Sequence, residues 1–572
     1  MKFFNKKSIT IYTIIALFLA MLTFEIGYCN TEFINGIINH EKIPYNFSMC
    51  RIILYLAFII IYFVFKNRFI NTALETIKSK YKRIITYIVI GLSIIIFCLT
   101  GLYTINKGIA YIRAGSIVNI LAILSTIFII YISNNATQNV IITACTFGII
   151  FTFTTSYNHA IDEKKHFMSA LNVSFLNFDY TTNPITDKKI EELPQLSKFT
   201  SISEFLKDDY VQDVTTEVDK EDIPSTPADY NVITYIAPGI GIVISRILGG
   251  SIIDMYICGR IMNLIIYTIL VCIAIKLLPY KKNIFYIIAF MPFMLLLAAS
   301  YSADGICLGI VYIFVAYCLK LHEDNEAITL KQFLLLALVY VIMLLGKSIA
   351  YMMIIVLAFM LPLGKTIKKN KKYIPAMITC AVILVILGTF FLLNLKNQKL
   401  NAEADTRGGS DINASEQLNV LLFHPIFDVK LAFEHVEDTL LNFNWYSHLH
   451  QSEFFTQDGE YTTFLTMMIF ILYVSLTEDD HNFKIKEKII LILAFLLAFG
   501  FSSAVLYLTF TPVGALYVAG YQARYIFPII PLILSCVSNN KVKCIKSENR
   551  NMNIATISGL FLVIGLIQLI IV

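Results

Sequence analysis

The chain is organised around one decamer, Asn158-His159-Ala160-Ile161-Asp162-Glu163-Lys164-Lys165-His166-Phe167. The decamer follows an apolar run, 138–155, that is long enough to cross a bilayer, and it opens the first long polar loop of the sequence. Two adjacent acids and a histidine four residues after the aspartate stand here beside a membrane segment. Since ionisable groups near membrane depth are costly, they usually line a cavity or a substrate path. Asp162 and Glu163 are therefore the first candidates for a functional site.

The composition is that of a membrane protein. Of the 572 residues, 57% are hydrophobic and 15% are charged, whereas a soluble domain carries about 25% charged residues. Apolar runs of roughly 17–25 residues recur from end to end, and each can span the hydrocarbon core. The net charge of +5 is spread over short loops, so it speaks to orientation in the bilayer and not to nucleic acid. We predict an all-α polytopic membrane protein with about fifteen transmembrane helices.

Basic residues set the predicted orientation. Lys2, Lys6 and Lys7 place the N-terminus in the cytoplasm of a multi-pass protein of the cell membrane. Counting spans from there puts two long loops outside the cytoplasm, 156–231 and 396–460. The second half of the first loop is acidic, which fits the outer side.

The apolar segment 232–248 interrupts this alternation. If it spanned the membrane, the basic loops 365–372 and 541–550 would lie outside, against the charge rule. The segment also carries Pro238-Gly239 at its centre, and proline costs about 3 kcal/mol inside a helix. We therefore predict a non-spanning juxtamembrane segment, which requires cover by protein or a wet cavity.

The same orientation gathers ionisable residues at the outer membrane boundary. Acids and bases placed there suggest an anionic substrate held by cations and worked on by a carboxylate, which takes the proton of an attacking hydroxyl. A lysine and an arginine can hold a phosphate, the arginine in bidentate fashion. The residues are Asp162, Glu163, His166, Asp304, Lys347 and Arg524.

These residues also have structural interpretations. The acid pair would stabilise the dipole of a helix that begins there, and Asp304 would cap the following helix. Lys347 would snorkel to lipid headgroups, Arg524 would anchor the interface, and His166 would be a structural histidine. The sequence leaves these alternatives open.

Four stretches, in chain order, resemble a family of multi-pass bacterial membrane proteins of unknown function. That family is placed in the GT-C glycosyltransferase superfamily, with the dolichyl-phosphate-mannose protein mannosyltransferase-like enzymes. The sequence departs from the family pattern at two places: Ala523 stands where glycine is usual, which is a mild change, and the proline pair is degraded to Ala237-Pro238. Lys347 matches a lysine at an outer helix turn. The stretches are Asp162–Phe167, Tyr235–Gly239 with Arg260 and Asn263 after it, Pro292–Asp304, and Gly520–Pro528.

The resemblance implies a GT-C-like helical bundle with a large first extracytoplasmic loop. It also implies a transferase that moves a sugar from a polyprenyl-phosphate donor to an extracytoplasmic glycan acceptor. The acid of the first outer loop is the base proposed for the superfamily, which maps onto Asp162 or Glu163. We assign Lys347 and Arg524 to the lipid phosphate by charge and side, and expect His166, Asp304, Gln522 and Tyr525 to line the substrate site. Some relatives bind a divalent metal near the acid and others do not, so the resemblance leaves the cofactor open.

On this interpretation the chain has three modules: four extra helices in 1–135, a GT-C-like catalytic module in 136–400, and a C-terminal transmembrane module in 401–572. Two other functions compete with it. A transporter or flippase for lipid-linked sugars would place ionisable residues deep in the helices and broken segments in two halves, and only one broken segment is evident. A polysaccharide polymerase or ligase would need basic outer loops for a lipid diphosphate, whereas the long loop is acidic.

Overall fold

A computed structural model of the chain gives its architecture. Within the residues it describes, all regular secondary structure is helical and no strand occurs, as predicted. The described residues are 128, 131–154, 160, 162–176, 231–248, 252–369, 412–437, 439, 460–478, 480–537 and 549–571. Most of the predicted N-terminal module, most of both outer loops and the predicted span 373–395 lie outside them.

The chain divides into two compact units. Unit 1 comprises Met1–Cys272, Ala289–Ile306 and Ile545–Val572, and unit 2 comprises Ile273–Ile288 and Cys307–Cys544. Unit 1 contains α1 (Ala136–Thr143), a π-helical turn (Ala144–Gly148), α2 (Ile149–Thr154), α3 (Glu163–Ser174), a 3-10 turn (Val232–Thr234), α4 (Ile236–Ile247), most of α5 (Ile252–Leu277), α7 (Pro292–Ala298), the start of α8 (Ala303–Asp324) and α16 (Arg550–Ile571). Unit 2 contains the end of α5, α6 (Lys282–Ala289) except its last residue, most of α8, α9 (Leu330–Leu345), a 3-10 helix (Lys347–Met360), α10 (Leu363–Lys369), α11 (Ala414–Phe423), α12 (Pro425–Val436), α13 (Glu460–Thr477), α14 (Ile485–Phe510), a 3-10 turn (Ala523–Tyr525) and α15 (Ile530–Val537).

Three helices in the described part of the chain are long and apolar enough to cross a membrane. They are Asp254–Leu277 within α5, Ala303–Asp324 (α8) and Ile485–Phe510 (α14), and they coincide with the predicted spans 256–278, 305–319 and 489–508. The end of the 3-10 helix and α10 form a further apolar pair, bent by 66°. Pro362 stands at that bend, where it cannot donate a helical hydrogen bond. The total of about fifteen spans stays a prediction.

The segment predicted as juxtamembrane forms α4. Its 12 residues give a length of about 18 Å, which is short of the roughly 30 Å hydrocarbon core. Pro238 and Gly239 lie in the first turn of α4, where a proline needs no intrahelical donor. Gly241 lets α4 approach α5 closely, because a Cβ at 241 would lie 2.3 Å from the carbonyl oxygen of Cys258.

One predicted span, 284–299, is wrong as an uninterrupted helix. The structure divides it into α6 and α7, with a break before Pro292. Met291 is extended (φ −62°, ψ 143°), because the ring of a following proline disfavours helical backbone at the preceding residue. The predicted span 525–537 is likewise shortened to the eight residues of α15. Prolines at 528 and 531 explain its late start.

Candidate functional site

The two adjacent acids have different structural roles. Glu163 begins α3 and accepts two hydrogen bonds from Arg260 of α5, from Nε to Oε1 and from Nη2 to Oε2, each 2.8 Å long. Both side chains are at most 1% exposed. A bidentate arginine–carboxylate pair of this geometry is among the strongest polar contacts in proteins. It fixes the start of α3 against α5.

The pair also holds two further segments of unit 1. The backbone N–H of Tyr301, in the turn between α7 and α8, donates to Glu163 Oε1 (3.1 Å). Arg260 Nη1 donates to the carbonyl of Thr152 at the end of α2 (3.1 Å). We call these four residues the buried clamp. Because it joins α2, α3, α5 and the α7–α8 turn, it sets where the loop acids stand.

The α7–α8 turn is built from the residues that the family resemblance singled out. Asn263 of α5 donates to the carbonyls of Ser300 (2.7 Å) and Ser302 (3.0 Å). The hydroxyl of Ser302 accepts the N–H of Asp304 (3.1 Å) and donates to its Oδ2 (3.0 Å). The alternative in which Asp304 caps α8 is therefore wrong. Ser302 supplies the cap, and Asp304 lies buried in the first turn.

Tyr301 packs the turn against α5. Its hydroxyl donates to the carbonyl of Met255 (2.9 Å), and its ring contacts those of Phe167 and Tyr256 edge-on. Burial raises the pKa of the Tyr301 phenol well above its usual value, so the group stays neutral and acts as a donor. Gly259 makes the contact possible, since any Cβ there would overlap the Tyr301 hydroxyl.

Asp162, by contrast, is exposed. It occupies the position before α3, but its side chain makes no capping hydrogen bond. Its backbone is left-handed (φ 59°, ψ 18°), a conformation that aspartate tolerates better than most residues. Both acids stand at the start of α3, where the helix dipole favours negative charge, and Glu163 also takes part in the clamp.

His166 follows Asp162 by one turn of α3 and is buried. Its Nδ1 lies 2.8 Å from the hydroxyl of Tyr235, at the start of α4. The two helices touch at Gly239, where a Cβ would lie 3.1 Å from Cγ1 of Val173. Helix α4 therefore supports α3, the helix that follows the acids.

Unit 2 brings together the predicted basic residues. Lys347 begins the 3-10 helix, and its Nζ lies 5.3 Å from the centre of the Tyr525 ring. The guanidinium carbon of Arg524 is also 5.3 Å from that centre, and Nη2 donates to the Tyr525 hydroxyl (3.4 Å). Tyr351 holds the backbone of Tyr525 by donating to its carbonyl (2.9 Å). We call Lys347, Arg524 and Tyr525 the basic cluster.

Both cations of the basic cluster are buried: Lys347 is 7% exposed and Arg524 is 4% exposed. Their interpretation as a snorkelling lysine and an interfacial anchor is therefore wrong, since both side chains are covered by protein. Gln522 stands beside them in sequence, and within the described residues its buried Oε1 accepts no hydrogen bond. Two positive groups around one aromatic ring form an environment that favours an anion.

The predicted site residues thus fall into two groups. Asp162, Glu163, His166 and Asp304 lie in unit 1, and the basic cluster with Gln522 lies in unit 2. The expectation that the cations hold an anionic substrate on which a carboxylate acts stays a prediction. Among the residues that the structure describes, no group of three histidine, cysteine, aspartate or glutamate side chains could hold a metal ion.

Sequence reasoning missed the partners that give these residues their roles. Arg260, Tyr301 and Tyr235 lie in stretches that carried the family resemblance, but nothing in the sequence paired them with Glu163 or His166. A charged residue inside an apolar helix was the available signal for Arg260, because such a residue needs an internal partner. Thr152 contributes only its backbone carbonyl and carried no signal.

Comparison with known proteins places the chain in a family. The family model described as "Predicted membrane protein (DUF2142)" matches residues 145–533. No curated protein and no solved structure matches the chain. The matched residues include the buried clamp, the α7–α8 turn and the basic cluster, and they make up more than half of the sequence. The chain therefore belongs to the DUF2142 family of predicted membrane proteins.

Proposed function

We propose that this protein is an integral membrane glycosyltransferase of GT-C type that moves a sugar from a polyprenyl-phosphate donor to an extracytoplasmic glycan acceptor. The observation that carries the proposal is the division between the two loop acids. One is held in the buried clamp, and the other is presented at the start of the same helix in left-handed backbone. Non-glycine residues in such backbone concentrate at functional sites.

In the proposed reaction Asp162 is the base. Its carboxylate takes the proton of the acceptor hydroxyl as the hydroxyl oxygen attacks the anomeric carbon of the donor. The new glycosidic C–O bond forms while the bond from that carbon to the phosphate oxygen breaks, with inversion. The electron pair leaves on the polyprenyl phosphate. Glu163 is a positioning residue, because both of its oxygens already accept hydrogen bonds from Arg260.

The basic cluster is proposed to hold the phosphate of the donor and of the departing lipid. Buried cations stabilise negative charge more strongly than exposed ones, since the surrounding dielectric is lower. Arg524 offers a planar fork and Lys347 a point charge. Tyr525 keeps the two cations at one place.

The test is a strain that lacks the gene, complemented with wild type, Asp162→Asn or Arg524→Gln. Surface polysaccharide is analysed by sugar composition and NMR, and membrane lipids by mass spectrometry. We expect the deletion and both variants to lose one sugar from the polymer and to accumulate a polyprenyl monophosphate carrying that sugar. Asn keeps the left-handed backbone preference of Asp, so Asp162→Asn separates loss of the carboxylate from loss of the fold.

Glu416→Gln serves as the matched control, because Glu416 is exposed at the start of α11, away from both residue groups in sequence. All variants are compared at equal membrane abundance. Full sugar transfer by Asp162→Asn would show that Asp162 is not the base. Accumulation of a diphosphate-linked oligosaccharide in the deletion strain would point to a polymerase or ligase instead. An unchanged polymer and lipid pool in that strain would exclude this donor reaction altogether.

A further inference from the structure

Helices α11 and α12, together residues 414–436, carry an apolar surface that unit 2 does not bury. We call them the surface helix pair. Its exposed side chains are Leu422 (64%), Phe423 (72%), Ile426 (86%), Val429 (67%) and Phe433 (73%). Moving such a side chain from water into an apolar phase is favourable. Five exposed apolar side chains within 12 residues form a patch of the kind that marks a protein-interaction or membrane-interaction surface.

The orientation of α12 is fixed by its opposite face. Successive residues turn by about 100°, so Ile426, Val429 and Phe433 share an arc of about 60°. Leu431 and His435 are buried, and their mean direction lies about 190° around the helix from the centre of that arc, which is the opposite side. The exposed apolar arc is thus the outer side of a helix that already packs by its inner side.

Polar contacts attach the inner side of the pair to α14. His435 Nε2 lies 2.8 Å from the hydroxyl oxygen of Ser503, and the His435 ring stacks on Phe499. Gln417 of α11 donates to the carbonyl of Tyr507 (3.4 Å), and its Oε1 accepts the N–H of Gly514 (2.8 Å). The pair is therefore held by the last turns of α14 and the segment after it.

That attachment places the pair at one boundary of the membrane. Lys484 and Lys486 are exposed where α14 begins, which marks the first boundary. A hydrocarbon core of about 30 Å takes about 20 helical residues, so the second boundary falls near Ser503 and Tyr507. Between the two, Leu493 and Leu497 of α14 are exposed apolar residues, as a lipid-facing side requires. The attachment points of the surface helix pair lie at the far end of this lipid-facing side.

We propose that the surface helix pair lies flat in the headgroup region of the bilayer, with its exposed apolar side chains inserted among the acyl chains. With 10 and 12 residues, α11 and α12 are only about 15 and 18 Å long and cannot span. Lys430 is exposed and flanks the apolar arc by about 40°, a position from which an ammonium reaches lipid phosphates. The occupant of this surface is the phospholipid bilayer. Other covers, such as a second copy of the chain, are outcomes of the test.

The sequence allows a clean measurement, because Trp445 is its single tryptophan. Trp445→Phe gives a silent background, into which Phe433→Trp or Val429→Trp is introduced on the apolar arc. Glu416→Trp, at an exposed polar position of α11, is the matched control. Each variant is reconstituted in vesicles of phosphatidylcholine and phosphatidylglycerol. Its emission is measured with phosphatidylcholine brominated at a shallow or a deep acyl position, and with iodide in the water.

We expect the tryptophans at 433 and 429 to emit at shorter wavelength than the tryptophan at 416. They should lose most of their emission to shallow brominated lipid and little to iodide, whereas the control shows the reverse. Two same-face positions keep the test informative if one variant fails to fold. Equal iodide quenching at 433 and 416 would place the arc in water. Insensitivity of both arc positions to lipid and to iodide would mean that protein covers it. Either result overturns the proposal.

Discussion

The buried clamp makes a sharp prediction about stability. Glu163→Gln removes the negative charge and keeps the size of the side chain, so Arg260 stays buried without its counter-ion. Arg260 is 1% exposed, so water cannot replace the lost partner. We expect a large decrease in the free energy of unfolding.

The magnitude follows from the contacts. The pair consists of two charge-assisted bonds of 2.8 Å, and Glu163 also accepts the N–H of Tyr301. Removing one partner of a buried ion pair costs about 3–5 kcal/mol. That corresponds to a shift of the folding equilibrium by about two to three and a half powers of ten. The cost comes mainly from the stranded arginine, so removing its charge as well should recover part of it.

A double-mutant cycle tests this reasoning. Wild type, Glu163→Gln, Arg260→Met and the double variant are purified in detergent and unfolded with increasing dodecyl sulfate, with helicity followed by circular dichroism. We expect the summed stability losses of the two single variants to exceed the loss in the double variant by more than about 1 kcal/mol, and this excess is the coupling energy. Glu416→Gln, which is exposed, should stay within about 0.5 kcal/mol of wild type.

Two results would refute this account. If Glu163→Gln lay within about 1 kcal/mol of wild type, the pair would not hold the loop. If the effects of the two single changes simply added up in the double variant, the two side chains would not interact in the folded protein. Either outcome would also reopen the alternative, left open by the sequence, that Glu163 and not Asp162 is the base.

Two further predictions concern packing and pH. Gly241→Ala places a methyl group against the carbonyl of Cys258 and should lower the free energy of unfolding by about 1–3 kcal/mol. Gly500→Ala is the control, because its methyl group meets no atom within 4 Å, and it should raise that free energy by about 0.5–1 kcal/mol. Equal melting temperatures of the two variants would contradict the close approach of α4 and α5. Burial raises the pKa of Glu478, just beyond α13, from 4.5 to about 7. The native state therefore retains a proton that the unfolded chain loses, and this contribution to stability is full below pH 4.5 and disappears as the pH rises to about 7. Across that pH window the stability of Glu478→Gln should rise relative to that of wild type. The comparison is needed because burial also lowers the pKa of His481, which makes both proteins more stable as the pH rises. A stability difference between the two proteins that does not vary with pH would contradict the raised pKa of Glu478.

The sequence allowed the helices to be predicted well where hydropathy alone decides. The spans at 256–278, 305–319 and 489–508 agree with helices of the structure to within a few residues, because a long apolar run beside charged loops has one solution in a bilayer. The interrupted helix at 284–299 shows the limit of that approach. Pro292 was visible in the sequence, but the run stays apolar through it, so hydropathy does not register the break that backbone sterics impose.

The sequence showed which residues were candidates for a site, but it did not show what each of them contacts. Ionisable residues beside membrane segments are rare enough to be noticed singly, and this identified Asp162, Glu163, Lys347 and Arg524. Their partners depend on contacts between distant positions; Glu163 and Arg260 are 97 residues apart. A single sequence does not show which residues so far apart in the chain are in contact, although each of them is conspicuous by itself.

The contrast between Asp162 and Glu163 suggests two separate tasks, accepting a proton and fixing the position of the loop, which two adjacent acids can perform and a single acid cannot. A catalytic base must be accessible to substrate and water to take up and release its proton, yet a loop that is open to water has few contacts that fix its geometry. A buried ion pair fixes geometry, but a carboxylate committed to an arginine is a poor proton acceptor. Placing one acid inside the protein and the next one outside satisfies both requirements, and the left-handed backbone at Asp162 is the local turn that separates the two directions. The same logic predicts that moving the exposed acid by one residue should abolish transfer even with the clamp intact. Asp162→Asn combined with Ile161→Asp, which keeps a residue suited to left-handed backbone at 162, is the variant that would show it in the complementation assay.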